Sequence, residues 1–175
     1  MAIVSALTII RSLALFHITL AYFFLISPKT IANQNVVFLL GEAMQLPTPR
    51  DFNKPSGATA FIAVLLAFFG LADLTAASLP DEVSDTYWGT QTPVRLLFLF
   101  GVTGYSYMFK EGGMFTTREK GYSFDAGDGL NNSIVFTWAF LELTMWFWVF
   151  LTLRDERRQR ALQLIEKRKA EHAHL

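Results

Sequence analysis

NNSIVFTWAFLELTMWFWVFLTLR, residues 131–154, decides how the chain is read. It is an apolar run of about 20 residues, the length needed to cross a hydrocarbon core of roughly 30 Å. A single carboxylate, Glu142, interrupts it near the middle. A charge at that depth is costly unless it is paired, watered or neutralised. On a helix Trp138, Glu142 and Trp146 fall four apart and share one ridge. The stretch therefore reads as a membrane span that holds one polar group between two indoles. Glu142 is expected to be a packing and docking residue that hydrogen-bonds a neighbouring helix.

Composition supports the bilayer as solvent. Of 175 residues, 52% are hydrophobic and 15% aromatic, with 17% charged, against about 25% charged in soluble domains. The apolar residues come in long blocks rather than short periodic runs. The formal net charge is zero, so no overall field points to nucleic acid. The chain has no cysteine, which excludes disulfides, cysteine-bound zinc and a thiol nucleophile.

The first apolar block, 2–26, lacks the basic start and the A-x-A site of a secretory signal and is read as a retained span. Ser5, Thr8, Arg11, Ser12, Thr19 and Tyr22 fall on one third of its surface, a stripe expected to face protein rather than lipid. Arg11 either joins that contact or snorkels to the interface. His17 lies off the stripe and reads as a hydrogen-bonded packing residue. The next segment, QNVVFLLGEAMQL at 34–46, is too short to span. It reads as an interfacial helix with Phe38, Glu42 and Gln45 near one face, capped by Thr30 or Asn33 and ended by prolines.

The second span is placed at 57–79. Gly57, Ala60, Ala63, Ala67 and Gly70 recur at three- or four-residue steps, the spacing that permits close helix contact. An acidic loop is expected at 80–92, with Tyr87 and Trp88 as interfacial aromatics. Pro93 then opens a short third span at 94–109, with Gly101, Gly104 and Ser106 on a packing side. Asp73 and Arg95 would lie toward the same membrane face and are a candidate ion pair. A glycine-bracketed third loop leads to the fourth span, 132–153. Asp125, Asp128 and Asn131 lack the spacing of a calcium loop.

The tail, 154–175, carries seven Lys/Arg against four acids and continues as a charged helix. That excess predicts a cytosolic C-terminus, and four spans then put the N-terminus there too. The fold expected is an all-α membrane protein: one four-helix domain over 1–153, an interfacial helix between its first two spans, and a basic tail.

Three blocks carry a family resemblance: SPKTIANQNVVFLLGEAMQLP (27–47), GYSYMFKEGG (104–113) and NNSIVFTWAFLELTMWFWVFLTLRDERR (131–158). They resemble a fungal family, the increased loss of mitochondrial DNA proteins, over nearly the whole chain. The resemblance implies a small multi-pass membrane protein of the endoplasmic reticulum with links to lipid homeostasis. The family name comes from a genetic phenotype and implies no contact with DNA. The family defines no catalytic residues, so none carry over.

Three function classes follow. A non-enzymatic subunit or adaptor fits best, with other membrane proteins and lipids as partners and no cofactor or metal. Glu142, Asp73, Arg95 and Arg11 are its intramembrane polar residues, and Phe38 and Glu42 mark its interfacial helix. A small channel or carrier would use the same polar residues as a lining. A lipid enzyme would need a convergent acid–base or metal set, and no HxxxH or GxSxG motif appears.

Overall fold

The computed structural model describes residues 4–109 and 129–173, with side chains to residue 171. Most of the third loop, including Asp125 and Asp128, lies outside these residues, as do His174 and the side chain of His172. The described chain is helical: α1 (Ala6–Ile26), α2 (Pro28–Ala32), α3 (Asn35–Ala43), a 3-10 turn (Arg50–Asn53), α4 (Gly57–Ala76), α5 (Asp81–Met108) and α6 (Ser133–Ala173). Three of these helices, α1, α4 and α6, are long and apolar enough to cross a membrane.

Helix starts follow local chemistry. Ser5 caps α1 by accepting from the Thr8 N–H. Ser56 and Thr59 close a capping box on α4. Asn132 opens α6, its side-chain oxygen accepting from the N–H groups of Ile134 and Val135 at 3.1 and 2.9 Å. Each cap satisfies amide donors that have no partner inside the helix.

α1 packs most closely on α4, and α5 on α6. At Gly70 a Cβ would stand 2.7 Å from the Ala14 carbonyl oxygen. The small-residue spacing of α4 thus brings two backbones together there, while Gly57 meets nothing within 4 Å. α3 lies across the start of α6, where a Cβ at Gly41 would stand 2.7 Å from Ser133 Cβ. The core holds Ile9, Ile10 and Leu13 of α1 with Trp88 and Leu99 of α5 and Ala139, Trp146 and Val149 of α6.

Several expectations are corrected. Residues 81–92 are not a loop but the first half of α5. Asp81 and Glu82 suit the positive end of the helix dipole. Ser84, Trp88 and Thr92, four apart, are buried on one face. Pro93 sits inside the helix at a cost of about 3 kcal/mol, and next to it the buried Trp88 stacks on Trp146 of α6. Trp88 is accordingly fully buried rather than interfacial.

The polar stripe of α1 points outward: all six of its residues are exposed. Its Ser12 and Thr19 hydroxyls need no partner on another helix because they return to the carbonyls of Thr8 and Leu15, four residues back. Gly101 and Gly104 face open space among the described residues, where a Cβ at either would meet nothing within 4 Å. Ser106, beside them in sequence, is buried and donates to the Leu130 carbonyl at 2.7 Å.

The helix expected at 34–46 is shorter than that and starts after Gln34 without a side-chain cap; Thr30 lies in α2 instead. Nor do the prolines end it. Gln45 adopts φ 55°, and the N–H groups of Leu46 and Gln45 return to the carbonyls of Gly41 and Glu42 at 2.8 and 3.0 Å. This is a Schellman stop with glutamine in the left-handed position that glycine usually takes.

Candidate functional site

Four helices contribute to one buried polar cluster. From α1, His17 turns inward because it continues the buried row of Leu13, Ala14, Ala21 and Phe24, away from the exposed stripe. From α6, Glu142 and Trp146 lie one helical turn apart on the ridge facing α1 and α5. α4 supplies Asp73, and α5 supplies Trp88 and Arg95. His17, Asp73, Glu142, Trp88 and Trp146 are each no more than 4% exposed.

Glu142 is held from two sides. His17 Nε2 lies 3.0 Å from its Oε1, and Trp146 Nε1 donates to its Oε2 at 2.9 Å. The same indole presents its face to Arg95, whose guanidinium carbon stands 4.4 Å from the ring centre. The Trp88 ring stacks on Trp146 at 5.7 Å and lies 5.5 Å from the same guanidinium. Cation–π contacts of this kind strengthen when desolvated.

Arg95 then donates two hydrogen bonds to Asp73, Nη1 to Oδ2 at 2.7 Å and Nη2 to Oδ1 at 2.6 Å. This fork geometry is the strongest form of carboxylate pairing. The cluster therefore runs without a break from α1 through α6 and α5 to α4. Each ionisable group in it meets another protein group. Chemically the arrangement suits fastening: a desolvated charge is tolerated only with a partner, and here the His17–Glu142 and Asp73–Arg95 contacts each join two different helices.

The other expected residues lie apart. Arg11 is exposed on α1, and its Nη2 donates to the Ala77 carbonyl at 2.9 Å, at the negative end of α4. Phe38 and Glu42 are exposed on α3 and do not approach the cluster. Asn131 donates through Nδ2 to the Phe109 carbonyl at 3.0 Å. Among the described residues no group of three or more His, Asp or Glu side chains gathers to hold a metal.

A second polar site lies at one end of the bundle. Arg160 of α6 forms a two-pronged ion pair with Asp85 of α5, and Arg157 donates to the Asp85 carbonyl. The Arg157 guanidinium lies over Gly89, where a side chain would otherwise stand. Glu156 Oε1 accepts from the Ala6 N–H at 3.0 Å. The acidic start of α5 and the basic exit of α6 are thus electrostatic complements that share one end of the molecule.

From the sequence alone His17 is a hydrogen-bonded packing residue with no named partner, and Trp88 is missed. His17 was separable from the polar stripe by its helical angle, yet its partner 125 positions away is visible only once α1 and α6 are side by side. Trp88 was hidden by the loop assigned to it.

A family model, Ilm1, increased loss of mitochondrial DNA protein 1, matches residues 4–163. The chain belongs to this family. It is 28% identical over 169 residues to Protein ilm1 of Schizosaccharomyces pombe, covering 92% of this chain and 89% of that one. It is 27% identical over 144 residues to Protein ILM1 of Saccharomyces cerevisiae, covering 82% of this chain and 62% of that longer protein. No solved structure matches. The Ilm1 match includes all six cluster residues and the Asp85–Arg160 latch.

Proposed function

We propose that this Ilm1-family protein is a non-enzymatic subunit or adaptor of a membrane assembly in the endoplasmic reticulum, tied to lipid homeostasis or lipid transfer. In this reading α5 supplies the third of four spans. Its apolar part, Val94 to Phe109, reaches only about 24 Å and needs a thinned bilayer or a covering partner. α3 lies in the interface with Phe38 toward lipid, and the basic tail is cytosolic.

The observation that carries the reading is the open face of α5. The helix packs chiefly on α6, leaving Val94, Leu97, Phe98 and Phe100 at least 60% exposed. A Cβ at Gly101 or Gly104 would meet nothing within 4 Å among the described residues. An apolar surface with two bare glycines permits close approach by another membrane helix. The inward cluster, meanwhile, keeps the four helices fixed behind it.

Purification in mild detergent tests the proposal. Stoichiometric co-purifying proteins are expected, and Gly101→Leu with Gly104→Leu should release them while the chain stays monodisperse. A preparation holding only this chain, or partners indifferent to both changes, overturns it. Orientation is tested separately: protease added to sealed microsomes should remove a tag placed after Leu175, and protection of the tag reverses the topology.

The line of polar groups from His17 to Asp73 favours a carrier as second reading. A carrier needs an ionisable Glu142, whereas a fastening needs only its hydrogen bonds, so Glu142→Gln separates the two.

A further inference from the structure

Past its apolar stretch α6 continues without a break as helix to Ala173. No proline or glycine interrupts residues 133–173, so the tail prolongs the axis that crosses the bilayer. Three contacts fix its base to the bundle. Arg160 pairs with Asp85, Arg157 donates to the Asp85 carbonyl, and Glu156 accepts from the Ala6 N–H. At 1.5 Å per residue Arg168 stands about 22 Å beyond Leu153.

The tail has two unlike faces. At about 100° per residue, Arg154, Arg158, Leu162, Ile165, Arg168 and Lys169 fall on roughly one third of its surface. Asp155, Glu156, Glu166 and Glu171 all fall outside that third. Every one of the six side chains is exposed, Leu162 and Ile165 at 51 and 50%. Its four cations form no ion pair or hydrogen bond among the described residues. Arg157 and Arg160, the cations that hold α5, lie off this face. Arg154 and Arg158 stand four apart, a like-charge spacing that destabilises a helix left in water.

We infer that this face docks an acidic amphipathic helix of another protein. Carboxylates of that helix meet Arg154, Arg158, Arg168 and Lys169, and its apolar side chains cover Leu162 and Ile165. Charge complementarity selects the partner: a face of one sign attracts the other and rejects its own. Two aliphatic side chains three residues apart among those charges suit a helix rather than an extended strand. The chain's own bilayer fits less well. A helix binds a lipid surface by lying in its plane, and the fixed base and unbroken axis hold this one away from it. Charge on that surface is screened within about 8 Å, short of Arg168. The inference deepens the adaptor reading and rests on it, the acidic protein being a member of that assembly held on a face other than that of α5.

The test places a diazirine amino acid close to leucine in size at position 162 of the full chain. Sealed microsomes are irradiated and the crosslinked peptides are sequenced by mass spectrometry. Adducts are expected on a protein segment with acids and aliphatic residues at three- and four-residue steps. Arg168→Glu should cut their yield about ten-fold. Lys167→Glu makes the same change of charge one position away on the opposite face, and should alter the yield by less than about two-fold. Both side chains are exposed, and partners held by α5 should stay bound in both variants. Loss of adducts with those partners retained therefore strikes the tail contact, whereas absence of any co-purifying protein strikes the adaptor reading. Adducts on lipid, on a second copy of this chain or on segments without acids, no adducts at all, or an equal response to the two charge reversals would each overturn the assignment.

Discussion

His17 Nε2 of α1 stands 3.0 Å from Glu142 Oε1 of α6, and both side chains are at most 5% exposed. Two polar groups that each helix could not bury alone are buried by each other. The contact joins the first and last long helices by a polar bond deep in the bundle.

Glu142→Gln is expected to leave folding and cell function near wild type, because the amide still accepts from Trp146 and donates toward His17. Glu142→Leu should cost about 2–4 kcal/mol, since it leaves the indole N–H and the imidazole unpaired in a dry site. His17→Leu should cost a similar amount, and combining it with Glu142→Leu should cost less than the sum. Thermal unfolding in detergent, with complementation at matched expression, checks all three. An assembled but inactive Gln variant would sink the fastening role.

Breaking either side of the Asp73–Arg95 pair should destabilise by about 3–5 kcal/mol, because it strands the other charge. Arg95→Lys is also expected to be damaging. An ammonium cannot make both prongs to Asp73 while lying flat on the Trp146 ring. Strictly additive single and double changes in a thermal cycle mean that the two residues do not interact.

Gly70→Ala should destabilise by about 1–3 kcal/mol, because the new methyl meets the Ala14 carbonyl, a backbone atom that cannot rotate away. Gly101→Ala, in open space within a helix, should be neutral or slightly stabilising in the isolated chain. Comparing their melting temperatures reads out the close approach of α1 and α4.

Gln45→Gly should stabilise by about 0.5–1 kcal/mol, because residue 45 holds a left-handed conformation that costs a side chain more than it costs glycine. Gln45→Val should lose about as much. Equal melting temperatures for the three chains would remove the strain from this turn.

Asp85→Lys should release the tail from α5 by setting like charges against Arg157 and Arg160. Limited proteolysis should then cut near residue 160 several-fold faster than in wild type. Unchanged cleavage would mean that the tail is held by helix continuity alone.

What the sequence by itself determined is whatever depends on one helix at a time. Long apolar blocks mark α1, α4 and α6 as bilayer-length helices, because removing polar groups from a 20-residue run leaves no other favourable solvent for it. Ser56 and Thr59 cap a helix from within four residues, and the isolation of Glu142 among apolar neighbours requires a partner wherever the chain folds. Tertiary structure decided everything that depends on two helices meeting. Periodicity alone could not say which side of α1 faces inward, since serine and threonine satisfy themselves on the helix backbone and can face out as readily as in. It could not make 81–92 helical either, because the packing of Trp88 on Trp146 of α6 lies outside that stretch. His17 became the partner of Glu142, and Trp146 the bridge to Arg95, because pairing energies in a desolvated core depend on distance across the bundle, and that distance is written in no local stretch of the chain.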